Sequence, residues 1–249
     1  MTIKIKSIAS VQEQENRDAF RQLFSDNPIP EGERLANIGL FLKRQELTKT
    51  LFFNEVYQRI SGVHGVIMEF GVRWGQNLVT LNNLRGIHEP FNYSRKIVGF
   101  DTFEGFPSVS REDGSHEVIH EGAFSVTDGY DEVLRSILDY HERECPVAHI
   151  KKNTVIKGDA PVMLEKYLNE HPETIVAFAY FDFDIYGPTK RCLELIGPHL
   201  TKGSVIGFDE LNDPHFPGET IAVREVLGLN KIRVERNRYS GIQSFCVIE

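Results

Sequence analysis

Cysteine, tryptophan and basic runs are what this chain has least of. Three cysteines in 249 residues, Cys145, Cys192 and Cys246, are far apart, odd in number and never form a CxxC pair. That spacing excludes a disulfide framework and a cysteine zinc site, and it fits a reducing compartment. Lys and Arg number 28 against 36 Asp and Glu, a net charge of -8, and the only basic cluster is the pair Lys151-Lys152. A phosphate backbone needs a basic stripe, so nucleic acid is excluded as a partner. The most apolar segment, Thr174 to Phe181, is too short to span a bilayer, and the opening MTIKIKSIAS has no signal-type apolar stretch. A soluble, cytoplasmic protein without a membrane partner is expected. No internal repeat or low-complexity tract is present.

What is there is enough apolar material, 41%, for one sizeable core. The length suits one α/β domain with an extension, divided as residues 1–60 and 61–249. The extension reads as helical: polar and amphipathic over 11–24, broken at Asn27-Pro28-Ile29-Pro30-Glu31-Gly32, then apolar at Leu47, Leu51, Val56 and Ile60. It is expected to cover the sheet or meet a second subunit.

From Gly65 onward strands and helices alternate. Strands are expected at Val66–Phe70, Lys96–Phe100, Thr154–Lys157, Ile175–Phe181 and Ser204–Phe208, with helices between them. Lys231–Glu235 and Gln243–Ile248, joined through Tyr239-Ser240-Gly241, predict a closing antiparallel hairpin. Residues 105–128, rich in Gly, Ser, Asp and His, read as a long functional loop. This order is that of a class I methyltransferase: a Rossmann-like α/β fold, seven-stranded and mostly parallel, with an antiparallel hairpin at the carboxyl end.

Chemistry-bearing residues gather where strands end. Gly71 and Gly75 follow the first strand, where glycine lets backbone approach a ligand and a helix amino end offers free N–H groups. Asp101 ends the second strand, the place of an acid that grips ribose hydroxyls. Asp159, after Gly158, is either the holder of an adenine amino group or the cap of the next helix. Asp182 and the pair Asp209-Glu210 end the two most apolar strands. Three acids at one height form an all-oxygen set that suits magnesium or another divalent cation. Alternation along the chain turns Asp184 away from Asp182 and makes it a cap for the following helix.

The stretches Glu69-Phe70-Gly71-Val72 with Gly75, Phe100-Asp101-Thr102-Phe103-Glu104-Gly105-Phe106-Pro107, Gly158-Asp159, Asp182-Phe183-Asp184-Ile185-Tyr186 with Thr189, and Gly203 through Asp209 carry a resemblance. Over about two-thirds of its length the chain resembles the macrocin O-methyltransferase (TylF-like) family. The resemblance implies methylation of a hydroxyl on a sugar, a glycosylated natural product or a nucleotide-sugar, with S-adenosylmethionine as donor and magnesium as metal. It implies that Glu69 and Gly71 line the methionine side of the cofactor, that Asp101 holds its ribose and Asp159 its adenine. Phe70, Gly75, Asn77, Thr102, Gly158, Ala160 and Asp182 complete the expected cofactor set. Asp182, Asp209 and Glu210 would bind metal, and Asp182 would also take the hydroxyl proton. The family usually carries Asp-Asp where this chain has Asp209-Glu210. Asp213, His215 and Glu219 are placed near the acceptor, with residues 108–128, including His116 and His120, as its lid. A homodimer or larger assembly is expected. A catechol or phenolic acceptor, and a cofactor-binding protein without catalysis, are the alternatives; a nicotinamide-linked oxidoreductase is disfavoured because its first turn needs three glycines.

Overall fold

The structure is a computed structural model and describes residues 9–249. By its contacts the chain divides between Thr48 and Lys49. In the first unit, α1 (Val11–Ser25) begins with a capping box: the side chain of Ser10 accepts from the Glu13 backbone and Glu13 returns the bond. A short α2 (Glu31–Arg34) and a 3-10 turn (Ile38–Phe41) follow, with Phe41 against Phe20 and Phe24.

The helix α3 (Arg44–Ile60) runs across that division. Its second-unit face, Phe52, Phe53, Val56, Tyr57 and Ile60, is buried against the sheet. Then come β1 (Val66–Phe70), α4 (Gln76–His88), β2 (Ile97–Asp101), α5 (Tyr130–Arg143), β3 (Asn153–Lys157), α6 (Ala160–Glu170), β4 (Val176–Phe181), α7 (Tyr186–Ile196), β5 (Leu200–Phe208), α8 (Pro217–Val226), β6 (Glu235–Arg236) and β7 (Ser244–Val247). The sheet order is β3-β2-β1-β4-β5-β7-β6, parallel except for the pairs β5/β7 and β7/β6. One apolar layer takes in α3, α4 and α5; the other takes in α6, α7 and α8. Of the expected hairpin, the first arm shrinks from Lys231–Glu235 to Glu235–Arg236. Lys231 instead closes a turn on Gly228, and only Glu235 and Arg236 pair with β7.

Register positions the site. Phe70 pairs with Phe100 and with Phe181, and Phe181 pairs with Phe208. These four rings stack across the sheet at centroid spacings of 5.3, 4.8 and 5.7 Å, within the range of favourable aromatic contacts. The residue after each Phe therefore stands in one row at the strand ends: Gly71, Asp101, Asp182 and Asp209. Ladder bonds continue into that row, from Asp182 N–H to the Phe70 carbonyl at 2.8 Å and from Asp209 N–H to the Phe181 carbonyl at 3.0 Å. The acids are thus held by regular sheet rather than by loose loops.

The opposite edge of the sheet is tied by buried ion pairs. Arg95 bonds Glu89 at 2.8 Å and donates to the carbonyls of Ile60, Val63 and Gly65. Glu142 contacts both Arg85 and Lys152, with Asn82 and Asn153 in the same network.

Candidate active site at the strand tips

At the β1 end, Gly71 has a φ of 89°, and a Cβ there would collide with the Asp182 carbonyl. Both features require glycine, and the reason is packing against the β4 tip. Glu69 is wholly buried, and neither carboxylate oxygen has a hydrogen-bond partner. Burial, and after it the charge of nearby Asp182, pushes its carboxyl well above the ordinary carboxylate range. A lone buried acid on a strand tip fits a site that receives a cationic or N–H-bearing ligand group.

Asp101 accepts from Arg73 N–H on Oδ2 at 2.7 Å and from Phe103 N–H on Oδ1 at 2.5 Å. It ties the loops after β1 and β2 together, and each oxygen keeps a second lone pair for a ligand. Burial raises its pKa against those opposing bonds. Thr102 closes the next turn on the Gly105 carbonyl. Asp159 occupies the cap position of α6 but makes no capping bond, and it is exposed at the rim beside Gly158, while Ala160 is buried. The cap reading is met by position and not by chemistry.

The β4 and β5 tips are denser. Lys49, from α3, places its ammonium 3.3 Å from Oδ2 of Asp182 and 3.0 Å from Oδ1 of Asp209. The same Asp182 oxygen accepts from Asn77 at 3.3 Å. The same Asp209 oxygen accepts from Tyr180 OH at 2.6 Å and from Gln243 at 3.0 Å. All these bonds fall on one oxygen of each carboxylate, Oδ2 of Asp182 and Oδ1 of Asp209.

Asp184 departs from expectation. The cap position of α7 is Ile185, and Asp184 itself has a left-handed φ of 62°. β4 ends at Phe181, so strand alternation no longer governs it. The reversed backbone returns its carboxyl to the cluster, where it interacts with Glu210 and is raised by burial and by Asp182. The first N–H of α7 instead donates to Asp113, from the 108–128 loop, at 2.5 Å. Gly218 lets these segments meet: a Cβ there would lie 2.5 Å from Asp113 and 2.6 Å from the Tyr186 nitrogen.

Glu219 stands inside this cluster and not on an acceptor surface. It is fully buried, accepts from Phe183 N–H on Oε1 and leaves Oε2 without a partner; Oε2 of Glu210 is likewise alone. Burial first, then the neighbouring acids, raises Glu210 and Glu219. Asp213 and His215 bond each other at 3.0 Å in a loop beyond, and the His215 ring meets His116 of the 108–128 loop at 5.1 Å. His120 is exposed. Phe106, Val118 and Ala123 anchor that loop.

Among the described residues no group of three or more His, Cys, Asp or Glu is set to hold a metal ion as it stands; Lys49 lies between two of the expected ligands. The donor set nevertheless fits a hard divalent cation. It is all oxygen, one oxygen each of Asp182 and Asp209 lies outside the bonds above, and Glu210 Oε2 is buried without a partner. Metal-binding carboxylates are characteristically hydrogen-bonded on their outer oxygens in this way.

Lys49, Asp113, Tyr180 and Gln243 are the residues that sequence reasoning passed over. Lys49 did leave a signal: with Phe52, Phe53, Val56 and Ile60 it falls on the buried stripe of its helix, where a charge is out of place.

Comparison with solved structures decides the family. The calicheamicin methyltransferase CalS11 is 40% identical, with 99% of this chain and 98% of that chain covered and a TM-score of 0.92. This chain belongs to the O-methyltransferase family of CalS11. An apo structure of CalS11, described as a TDP-rhamnose 3'-O-methyltransferase of calicheamicin biosynthesis, matches at 38% over 97% and 96% with a TM-score of 0.84. The O-methyltransferase NovP, 17% identical over 80% and 79% with a TM-score of 0.60, shares the fold. No family model and no curated protein matches the chain. The protein is an S-adenosylmethionine-dependent O-methyltransferase, a class I methyltransferase in fold. Among the described residues no helix is long and apolar enough to cross a membrane.

Proposed function

We propose that the enzyme methylates a hydroxyl of a nucleotide-activated sugar or glycoside with the help of a divalent cation such as magnesium. The observation that carries the reading is the acidic pocket at the β4 and β5 tips, in a chain that matches CalS11 end to end. Glu69, Gly71 and Asn77 would form the methionine side of the cofactor site, Asp101 the ribose side and Gly158 to Ala160 the adenine side. Asp182, Asp209 and Glu210 would hold the cation.

When bound, S-adenosylmethionine supplies a methyl group already activated on sulfonium, and the cation stabilises negative charge on the acceptor oxygen. What remains for the chain is to orient a hydroxyl and remove its proton. Oδ2 of Asp182 is engaged by Lys49 and Asn77, so Oδ1 would face the cation with one lone pair and receive the proton on the other. The stacked Phe70, Phe100, Phe181 and Phe208 pack on the opposite face of the sheet and hold the strand ends that carry Asp101, Asp182 and Asp209 in register. Asp113, by bonding the start of α7, couples the 108–128 loop to the same pocket. His116, Asp213 and His215 then border the acceptor.

The three free cysteines agree with a cytoplasmic setting, and we assign a homodimer or larger, which light scattering would check. Mass-spectrometric screening of nucleotide-sugars and catechols with S-adenosylmethionine, with and without magnesium, tests the reading. Methylation of a sugar and not of a catechol, dependent on the cation, is expected. Catechol turnover alone would overturn it.

A further inference from the structure

We propose that Lys49 is a built-in competitor for the divalent cation, holding Asp182 and Asp209 and setting how weakly the pocket binds the ion. This rests on the metal reading above and concerns a residue outside the strand-tip motifs.

Two observations carry it. The Lys49 ammonium bridges the two carboxylates, at 3.3 Å and 3.0 Å, and lies 5.8 Å from the Tyr180 ring centre. It is a cation set directly against an acid-rich pocket that includes Asp184, Glu210 and the fully buried Glu219, whose Oε2 has no partner. The Lys49 side chain is also 24% exposed, so its flexible stem has a route to solvent. Its neighbours Phe52 and Phe53 are locked against the sheet, which leaves the side chain, not the helix, as the part free to move.

Magnitudes decide the direction. Losing a hydrogen-bonded support costs a metal site about 10- to 100-fold in affinity. A unit positive charge a few ångströms from a divalent cation opposes it by more than about a thousandfold at an effective dielectric near 20. Charge outweighs support, so removing the ammonium tightens cation binding. A weakly held ion would enter with the acceptor, whose oxygen adds a ligand, and an acceptor-free pocket would keep its acids together through Lys49.

The test is Mn2+ binding, measured by electron paramagnetic resonance of the free ion, on the full chain and on Lys49→Met, Lys49→Gln, Lys49→Arg and Asp209→Asn. Melting curves confirm folding. At least tenfold tighter binding in Lys49→Met or Lys49→Gln, with Lys49→Arg near wild type and Asp209→Asn much weaker, is expected. Equal or weaker binding in the neutral variants, with Asp209→Asn still impaired, overturns the competition and leaves the metal reading standing. No Mn2+ binding by any folded form, or binding indifferent to Asp209→Asn, overturns both.

Discussion

The two ends of the parallel sheet treat charge in opposite ways. Where strands begin, every buried charge touches an opposite one, Arg95 with Glu89, and Arg85 and Lys152 with Glu142, and the atoms left without partners there, Asn82 Nδ2, Arg85 Nη1 and Asn153 Oδ1, include no carboxylate oxygen. At the strand tips, acids outnumber cations, and Glu69, Glu210 and Glu219 keep buried oxygens without partners. Paired buried charge is structural, because breaking the pair strands a charge in low dielectric. Buried carboxyl oxygens without partners are a cost that folding alone does not explain, and they mark where ligands are received. The contrast assigns stability to one end and chemistry to the other.

The largest effect that would test this assignment is at Asp182. Asp182→Asn keeps the shape and removes the proton acceptor, so turnover should fall by about 10²–10⁴-fold, with S-adenosylhomocysteine affinity changed little by calorimetry. Unchanged turnover would sink the role. At the other end, Arg95→Met should cost about 3–5 kcal/mol of stability by leaving Glu89 without its opposite charge. Denaturant melts read that loss, while cofactor affinity in the folded fraction should hold. Loss of cofactor binding without loss of stability would break the comparison.

Smaller effects sharpen it. Gly218→Ala wedges a methyl between Asp113 and Tyr186 and should lower stability by about 1–3 kcal/mol, with acceptor KM rising more than cofactor KM. Glu69→Gln removes an uncompensated buried acid. Stability should stay level or rise by about 1 kcal/mol, while the KM for S-adenosylmethionine increases several-fold; a clear loss of stability would show Glu69 to be structural after all. The least effect concerns pH. Burial raises the Glu89 carboxyl, but the bonds from Arg95 and Tyr57 outweigh it and its pKa is lowered overall. A lowered acid contributes stability above its unfolded value, roughly 4.3, and loses it as pH falls through the folded value. Acid melts of Glu89→Gln should therefore flatten below about pH 4.3.

The strand tips were legible in sequence because each is punctuated alike. A buried apolar run ends in Phe followed by Gly71, Asp101, Asp182 or Asp209, and parallel register then brings the four to one height. The mostly parallel sheet followed from the alternation of strands with helices, and the closing hairpin from the short turn at Tyr239-Ser240-Gly241, while the order of the strands came only from the structure. The short first arm of that hairpin was not legible, since Lys231 to Val234 have strand-like composition but the ladder with β7 takes up only Glu235 and Arg236.

The sequence by itself determined the fold class, the row of acids and their kind, because residue type and a period of two fix which side chains end a strand. Only the tertiary structure decided what those acids meet. Lys49 lies more than a hundred residues before Asp182 and Asp209, Asp113 reaches α7 from a distant loop, and the left-handed turn at Asp184 reverses what alternation would give. Contacts of such separation leave no local pattern. They arise when α3 packs its phenylalanines on β4 and brings one misplaced lysine to the pocket.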